Sequence, residues 1–259
     1  TIKTDVPIAL DMEALKREEP DEEELRRLFE MLEFRSLIDR VIKTEKKAPP
    51  SPAAQPDLFG FFAEEDTADA KNSILTRLED LPYDYQLVDN KEKMAVLAEK
   101  LLVQKFFSLD TETTGIDPIT AELVGMSFSF AENQAFYVPV PANCEEALTI
   151  VNIFKTVFEN PDSLKIGQNI KYDLIMLANY GVTLKGKMFD TMIAHYVLQP
   201  ELRHGMDYLA EIYLKYETIK IEELIGAKGK KQGNMRDLAP EAVYKYACED
   251  ADVTLKLKQ

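Results

Sequence analysis

A short apolar run that ends in two carboxylates limits what this chain can fold into more than any other feature. Residues 105–109 have the sequence Lys-Phe-Phe-Ser-Leu, which is typical of a buried strand. Alternation along a strand places Asp110 and Glu112 on one face at its carboxyl end. Like charges that close raise each other's pKa unless a cation lies between them, which favours a divalent metal ion. The alternative is a turn that begins at Asp110 before Gly115, with Glu112 in solvent.

The last segment, 238–257, has apolar residues at helical spacing. Tyr246 and Asp250 are four residues apart, so they lie on one face of this helix, one turn from each other. A phenol next to a metal-binding carboxylate can hold a water molecule by a hydrogen bond. The alternative is an ordinary half-buried tyrosine, with Glu249, Asp250 and Asp252 forming an acidic outer face.

A fourth carboxylate, Asp173, lies at the start of a predicted helix, 170–180, that follows a short strand. Taken alone it has an ordinary explanation, because a carboxylate stabilises a helix N-terminus. The four carboxylates together are hard oxygen ligands with no His or Cys among them, which suits Mg²⁺ or Mn²⁺. Two such ions are a standard means of displacing an alcohol from phosphate.

The remaining pattern predicts an α/β domain. Strands are predicted at 85–88, 105–110, 122–130, 134–140 and 164–167, the middle three as a meander. Helices are predicted at 89–102, 145–159, 170–180, 191–198, 206–213 and 238–257. Asp89 and Glu92 have capping-box spacing at the first of these helices. The Gly/Lys-rich segment 228–233 is either a solvated turn or a loop that faces DNA.

Four motifs carry a resemblance to a known family. They are Asp-Thr-Glu-Thr at 110–113, Gly-Gln-Asn-Ile-Lys-Tyr-Asp at 167–173, Phe-Asp-Thr-Met at 189–192 and Tyr-Ala-Cys-Glu-Asp-Ala-Asp-Val-Thr at 246–254. The motifs resemble those of the DEDD exonuclease superfamily, specifically the 3′-5′ proofreading domains of bacterial DNA polymerase I. The resemblance covers about residues 83–259. It implies a ribonuclease H-like mixed five-stranded sheet flanked by helices, with a small helical N-terminal appendage.

The resemblance also implies roles for the site residues. Asp110, Glu112 and Asp250 would hold a first divalent ion, Mg²⁺ or Mn²⁺, and Asp110 would also bridge to a second ion supported by Asp173. Tyr246 would orient the attacking water, which identifies the tyrosine branch of the superfamily. The reaction would be hydrolysis of the 3′-terminal phosphodiester of single-stranded or frayed DNA, releasing nucleoside 5′-monophosphates.

Four further residues are candidates for binding the DNA strand by similarity. Ile116 and Ile221 occupy places where the family sets apolar side chains against the last bases, and simple core packing is the alternative for both. Thr113 and Asn169 are the polar neighbours expected near the terminal nucleotide. Stacking and backbone contacts, rather than base-edge recognition, would hold a single strand.

The first 80 residues differ from the rest. Residues 1–45 resemble the C-terminal tail of a 5′-nuclease domain, with Asp21 and Glu24 capping a helix through about Leu32 and a second helix at 33–41. Residues 46–80 form a Pro/Ala/acid-rich flexible linker, and 81–259 form the exonuclease domain. The tail carries no predicted activity.

The linker contains one anomaly, the pentapeptide Gln-Pro-Asp-Leu-Phe at 55–59. It resembles the signature with which bacterial replication proteins dock on the sliding clamp, except for its proline. Gln55, Leu58 and Phe59 are therefore candidate clamp-binding residues. The alternative is that these side chains pack on the chain's own surface.

Composition limits the partners. A formal net charge of −15 is unusual for a nucleic-acid binder. We therefore expect weak DNA binding unless a neighbouring polymerase domain supplies the Lys and Arg side chains that contact phosphate. Two cysteines without metal-ligand spacing predict free thiols in a reducing compartment. With no membrane-spanning run and no signal-peptide pattern, we expect a cytoplasmic, nucleoid-associated protein with no membrane partner.

Two other functions remain open. A scaffold that keeps the motifs but mainly positions DNA would explain the acidic charge, although the complete set of carboxylates argues against it. An exonuclease that acts on RNA is the other alternative, and the 5′-nuclease resemblance at the start of the chain argues against that.

Overall fold

The computed structural model describes residues 21–31, 75–227, 229 and 232–259. The chain divides into two units, Thr1–Phe61 and Phe62–Gln259. In the first unit, helix α1 spans Glu22–Met31. The Asp21 carboxylate caps it by accepting from the backbone N–H groups of Glu23 and Glu24, both at 3.1 Å, as the sequence predicts. The predicted helix at 33–41, the segment 46–73 of the predicted linker and the pentapeptide at 55–59 lie outside the described residues.

The second unit is built on a six-stranded mixed sheet in the order β1-β4-β3-β2-β5-β6. The strands are β1 Asp84–Leu87, β2 Phe106–Thr113, β3 Leu123–Ala131, β4 Gln134–Pro139, β5 Leu164–Gly167 and β6 Met188–Asp190. Strands β2, β3 and β4 form the predicted antiparallel meander, while β1, β5 and β6 pair in parallel with their neighbours.

The expected five strands were one too few. The additional strand, β6, is three residues long and overlaps the start of the Phe-Asp-Thr-Met motif, where no alternation marks it as a strand. Its register with β5 sets Gly167 opposite Asp190. This edge strand therefore fixes the position of the segment that precedes Asp173.

Helices cover both faces of the sheet. They are α2 Lys91–Leu102, α3 Cys144–Phe158, α4 Lys171–Asn179, α5 Thr191–Leu198, α6 Met206–Leu209, α7 Ile221–Ile225 and α8 Pro240–Leu257. A wider helical turn, Ala210–Leu214, extends α6, and single 3₁₀ turns lie at Leu78–Asp80 and Met235–Asp237. The short helix α7 and both 3₁₀ turns were not predicted.

The main core fills the face of the sheet covered by α2 and α3. Phe128 of β3 stacks on Phe154 of α3 with ring centroids 5.2 Å apart, and Phe107 and Phe158 are also fully buried there. A second cluster lies on the opposite face, where Ala247 of α8 packs near Val124 and Ala135. Helix α8 is therefore pressed against the centre of the sheet, which brings its side chains to β2.

One predicted helix cap lies one residue away from its expected position. The cap of α2 is Asn90, whose side chain accepts from the backbone N–H of Lys93 at 2.9 Å, rather than Asp89. Asp89 instead forms an exposed ion pair with Lys93 at 2.8 Å. The predicted free thiols are confirmed, with Cys144 exposed and Cys248 buried. Within the described residues, no helix is long and apolar enough to cross a membrane.

Candidate metal and nuclease site

Three of the predicted carboxylates converge between β2 and α8. Asp110 and Glu112 lie on β2, and Asp250 lies on α8. Each contributes one carboxylate oxygen to a group whose members all lie within 4.8 Å of one another. The solvated-turn alternative for Asp110 and Glu112 is wrong, because both belong to a central strand and Glu112 is 7% exposed.

The acidic outer face proposed as an alternative for α8 is also wrong. Glu249, Asp250 and Asp252 are 0%, 6% and 1% exposed, so all three carboxylates are buried. A helix that packs against the middle of a sheet has little outer face at this level, and the charges must find partners inside the protein.

A close backbone approach makes room beneath the site. Gly125 of β3 lies opposite Glu112 in the antiparallel pair. A Cβ atom at Gly125 would lie 2.3 Å from the hydroxyl of Tyr137, so no larger residue fits without moving that ring. Burial, followed by the charge of Glu112, raises the pKa of Tyr137, which keeps this phenol neutral below the cluster.

The electrostatics of the cluster call for a cation. Burial raises the pKa of Asp110 to about 6. Burial followed by the charges of Asp110 and Asp173 raises the pKa of Glu112, and burial followed by Asp110 and Glu112 raises that of Asp250. The Oε1 atom of Glu112 is fully buried and has no hydrogen-bond partner. A buried carboxylate oxygen without a donor is costly, and a hard divalent cation is the partner that such a set of oxygens fits.

Asp173 lies beside this group rather than within it. The hydroxyl of Thr111 donates to Asp173 Oδ1 at 2.6 Å. This hydrogen bond links the first turn of α4 to β2. Asp173 is 2% exposed, and burial followed by the charge of Asp110 raises its pKa. The fourth carboxylate is therefore adjacent to Asp110, with one oxygen oriented by Thr111.

Tyr246 faces the same cluster from one turn before Asp250. Burial raises the pKa of Tyr246, and the charges of Asp250, Glu112 and Asp110 raise it further, in that order. The phenol is half-buried and stays protonated, so it presents an O–H donor beside the carboxylates. All five predicted catalytic residues are thus brought together.

The four residues predicted to bind the DNA strand have different environments. The hydroxyl of Thr113, directly after Glu112, lies 2.7 Å from that of Tyr172 and donates to the Gly115 carbonyl at 2.9 Å. Ile116 is 96% exposed, so the core-packing alternative for it is wrong. Ile221 begins α7 and is half-buried against the cluster on the α8 face, so for this residue core packing holds in part.

Asn169 occupies the turn before α4. Its φ of 60° lies in the left-handed region, which asparagine tolerates better than most residues. Its backbone N–H and that of Ile170 donate to the Asp190 carboxylate at 3.1 and 3.0 Å. The same carboxylate accepts from the backbone of Met192 at 2.9 Å and so also caps α5.

Sequence reasoning assigned no role to two residues that shape the site. Asp190 links the starts of α4 and α5. Its place in the Phe-Asp-Thr-Met motif, directly before a predicted helix, was the available signal. Tyr172 contacts Thr113 and donates to the Gly115 carbonyl, and its position directly before Asp173 was the available signal.

Comparisons with known proteins identify the family of this chain. A family model described as 3′-5′ exonuclease matches residues 85–259. DNA polymerase I of Pseudomonas aeruginosa is 35% identical over 269 residues, which cover 100% of this chain and 27% of the relative. DNA polymerase I of Borreliella burgdorferi is 34% identical over 238 residues, which cover 91% of this chain and 25% of the relative. The chain thus spans about a quarter of the length of these curated relatives.

Solved structures share the fold at low sequence identity. RNase D of Trypanosoma brucei matches with a TM-score of 0.56 and 19% identity, covering 69% of this chain and 64% of that one. Brucella melitensis NrnC bound to pGG matches with a TM-score of 0.52 and 19% identity, covering 69% and 78%. The mixed sheet flanked by helices that this chain shares with them defines the ribonuclease H-like fold class.

The family is more specific than the class. The chain belongs to the 3′-5′ exonuclease family. The relative from Pseudomonas aeruginosa, which matches over the whole of this chain, is a bacterial DNA polymerase I.

Proposed function

We propose that residues 81–259 hydrolyse the 3′-terminal phosphodiester of single-stranded or frayed DNA and release nucleoside 5′-monophosphates. One observation carries the proposal: the buried Glu112 and Asp250 and the half-buried Asp110 bring carboxylate oxygens within 4.8 Å of one another, and a buried oxygen of Glu112 has no donor. A protein stabilises such an arrangement poorly without a cation, and phosphoryl transfer is the chemistry that divalent cations on carboxylates serve.

Two ions, Mg²⁺ or Mn²⁺, fit the residues present. Asp110, Glu112 and Asp250 would hold one ion, while Asp110 and Asp173 would hold the other. The separation of Asp173 from the group of three, and its link to Asp110 through electrostatics and Thr111, support this division. When bound, the ions supply an activated water and neutralise the charge that develops on the departing 3′ oxygen.

The chain's own residues contribute orientation. The protonated phenol of Tyr246 is hydrogen-bonded to Asp250, and with substrate bound it would donate to the attacking water instead and orient it toward the phosphorus. Thr111 holds one oxygen of Asp173, which leaves the other free for a ligand. Burial of Glu112 and Asp250 excludes bulk water from the cluster and strengthens every charge interaction there.

The DNA strand would lie against Thr113, Ile116, Asn169 and Ile221. The exposure of Ile116 supports a stacking or wedging role, because an isoleucine that is 96% exposed contributes little to folding. Thr113 adjoins the catalytic Glu112, and Asn169 precedes α4, which carries Asp173. A paired terminus does not reach such a buried cluster, so the substrate is a single strand.

The relatives support a proposal for the physiological setting. We propose that the domain proofreads DNA in replication and repair as part of a cytoplasmic, nucleoid-associated polymerase. In this proposal residues 1–45 are the tail of a 5′-nuclease domain and 46–80 are a linker. A net charge of −15 supports a division of labour in which a polymerase domain of the same parent protein supplies most of the grip on DNA.

A second binding function is proposed for the linker. The pentapeptide with Gln55, Leu58 and Phe59 would dock on a sliding clamp, which would hold the protein near replicating DNA. The test compares clamp binding by the parent and by a variant with alanine at all three positions. Equal affinity of the two proteins for purified clamp would end this proposal.

The central experiment is digestion of a 3′-labelled oligonucleotide by the parent, by Asp110→Ala and by Glu99→Ala. Glu99 is an exposed carboxylate on α2 and serves as the matched control. Activity that needs Mg²⁺ or Mn²⁺ and disappears only in Asp110→Ala supports the proposal. Equal activity of the parent and Asp110→Ala would indicate a contaminating nuclease, whereas inactivity of all three proteins would favour the DNA-positioning scaffold.

The same assay separates DNA from RNA as substrate. An RNA oligonucleotide of matched sequence is digested in parallel, because solved neighbours of the fold include an RNase D. Faster digestion of the DNA strand is expected, and preferential digestion of RNA would overturn the assignment of the substrate.

A further inference from the structure

The two histidines of the chain meet beside the start of α4. The whole sequence contains only His195 and His204. His195 lies on α5, His204 lies in the loop of residues 199–205, and their Nδ1 atoms are 2.7 Å apart. A hydrogen bond of this length joins one ring that donates an N–H to one that accepts it. The histidine pair, His195 and His204, therefore fastens the loop to α5.

The loop is also fastened to the turn before α4. The side-chain amide of Gln168 donates to the backbone carbonyl of His204 at 2.7 Å. The Gln168 carbonyl oxygen accepts from the hydroxyl of Thr191, the first residue of α5. Gln168 directly precedes Asn169, so the histidine pair acts on the left-handed turn that aims α4 and Asp173.

The hydrogen-bond partners assign the tautomers. His195 is 5% exposed, and its Nε2 atom is buried without a hydrogen-bond partner. A buried N–H without an acceptor is costly, so the proton of His195 belongs on Nδ1, where it is donated to His204. His204 then carries its own proton on Nε2. Both rings are neutral in this arrangement.

Acid has no compatible place to put another proton. A proton on His195 Nε2 is buried without an acceptor. A proton on His204 Nδ1 faces the N–H of His195 at 2.7 Å, so the bond between the rings breaks. The geometry therefore favours the neutral pair alone.

The surroundings offer little compensation for a charge. The rings that face the pair are the phenols of Tyr196 from α5, Tyr208 from α6 and Tyr213 from the extension of α6. Burial, followed by His204, lowers the pKa of His195. Within the described residues no carboxylate is among the causes of that shift, and the charged side chains of the loop itself, Glu201 and Arg203, are not among them either.

We propose that His195 and His204 are positioning residues that hold Gln168 and the start of α4 in place only while His195 is neutral, so that acid loosens the DNA-binding side of the site. This inference rests on the proposed exonuclease function for its catalytic consequence, but the proton-linked release of the loop stands without it. The ligand that releases the loop is the proton.

The direction of the pH effect follows from linkage. The folded pKa of His195 is lower than the unfolded value of about 6.5, so the unfolded state takes up the proton first as the pH falls. The contribution of the pair to stability is thus complete above pH ~6.5 and is lost as the pH drops through the lower folded pKa. Above neutrality the pair is insensitive to pH.

The first test observes the histidines directly. Because the chain has only two, their imidazole ¹⁵N signals in the ¹⁵N-labelled protein separate without ambiguity once His204→Asn is compared with the parent. We expect His195 to hold its proton on Nδ1 at pH 7.5 and to titrate below pH ~6.5. We also expect amide hydrogen exchange of residues 199–205 to accelerate with that titration. Titration of His195 as a free imidazole, with unchanged exchange in the loop, would overturn the proposal.

The second test measures the consequence for catalysis. His195→Asn and His204→Asn each remove one ring of the pair but keep a short hydrogen-bonding side chain, and Tyr196→Phe is a control that keeps the ring against His204. Digestion of a 3′-labelled single strand is followed from pH 8 to pH 5 with Mn²⁺. The metal-binding carboxylates titrate in every protein, so the ratio of parent to variant isolates the histidine pair.

We expect kcat/KM of the parent and of Tyr196→Phe to fall faster than that of the Asn variants, by up to about tenfold for each pH unit below the titration of His195. Parallel profiles of all four proteins would overturn the catalytic part of the inference. If no protein digests DNA at any pH, the proposed function fails, while the ¹⁵N titration and hydrogen exchange still decide the inference. Circular dichroism melts confirm that each variant is folded, and a variant that fails to fold leaves the decision to the ¹⁵N titration of the parent.

Discussion

Two sets of carboxylates on α8 and β2 differ in whether hydrogen-bond donors of the protein surround their oxygens. Asp252 accepts from the Tyr85 hydroxyl at 2.8 Å, the Asn133 backbone N–H at 2.8 Å and the Lys256 ammonium at 2.7 Å. Glu249 accepts from the Tyr216 hydroxyl and the Ile219 backbone N–H, both at 2.6 Å. These two carboxylates have donors for both oxygens.

The second set consists of Asp110 and Glu112 on β2 and Asp250 on α8, and its environment is different. Burial and then the charge of Asp110 raise the pKa of both Glu112 and Asp250, and Glu112 Oε1 is buried without a donor. Asp250 and Asp252 are two residues apart, so the same helix carries a carboxylate that the protein completes and one that it leaves for a ligand. The partners of a buried charge, rather than its burial, separate structural from functional acids.

Replacement of Asp250 or Asp252 by asparagine should have the largest difference in effect between the two sets. Asp250→Asn should lower kcat for a single-stranded substrate by about 100-fold to 1,000-fold, as removal of one preorganised charge-stabilising group does in other enzymes. Asp252→Asn should retain nearly the parent rate, measured at a temperature where the protein is folded. Comparable loss in both variants would mean that the partnered carboxylate also serves the reaction.

The stability of the two variants should have the opposite order. Asp252→Asn removes the charge that pairs with Lys256, whose side chain is 15% exposed, and leaves donors poorly matched, so it should cost about 2 to 3 kcal/mol of unfolding free energy. Urea denaturation followed by circular dichroism measures this loss. Asp250→Asn in metal-free buffer should be no less stable than the parent, because it relieves repulsion from Asp110 and Glu112. A loss in Asp250→Asn as large as that in Asp252→Asn would contradict the distinction.

Metal addition should sharpen the comparison further. Mn²⁺ at ten times its dissociation constant should stabilise the parent by about 1.4 kcal/mol, because only the folded chain assembles the ligands. Glu112→Gln should abolish most of this stabilisation, whereas Glu99→Gln on the exposed face of α2 should keep it. Thermal melts with and without Mn²⁺, each with a chelator control, measure the effect. An equal shift in the parent and in Glu112→Gln would place the ion elsewhere.

The sequence predicts one of the two sets well and the other poorly, for a physical reason. Asp110, Glu112, Tyr246 and Asp250 have spacings of two and four residues within single elements, so the period of a strand or a helix sets each pair on one face. The partners of Asp252 come from Tyr85, 167 residues away, and from Asn133, 119 residues away. No local pattern reports such contacts, which is why Glu249 and Asp252 resembled an exposed acidic face.

The same limit explains the missed elements. Strand β6 has three residues and is set by pairing with β5, and α7 has five. Neither is long enough for a periodic signal to stand out from its flanks. At α2 both Asp89 and Asn90 are good capping residues, and the spacing alone does not choose between them. The histidine pair joins residues nine positions apart across a loop, a contact that depends on the path of that loop.

Tyr246 tests the boundary between the two sets, because its phenol belongs to neither a metal ligand nor a structural network. Tyr246→Phe keeps the ring and removes only the O–H beside Asp250, so the fold and the Mn²⁺ stabilisation should be unchanged. Loss of one hydrogen bond to the attacking water, worth about 0.5 to 1.5 kcal/mol, should slow single-turnover digestion by up to about tenfold. Tyr85→Phe is the matched control, since its hydroxyl donates to the partnered Asp252 and should affect stability without affecting rate. Rate loss in Tyr85→Phe with none in Tyr246→Phe would reverse the roles of the two tyrosines and, with them, the distinction between completed and open carboxylates.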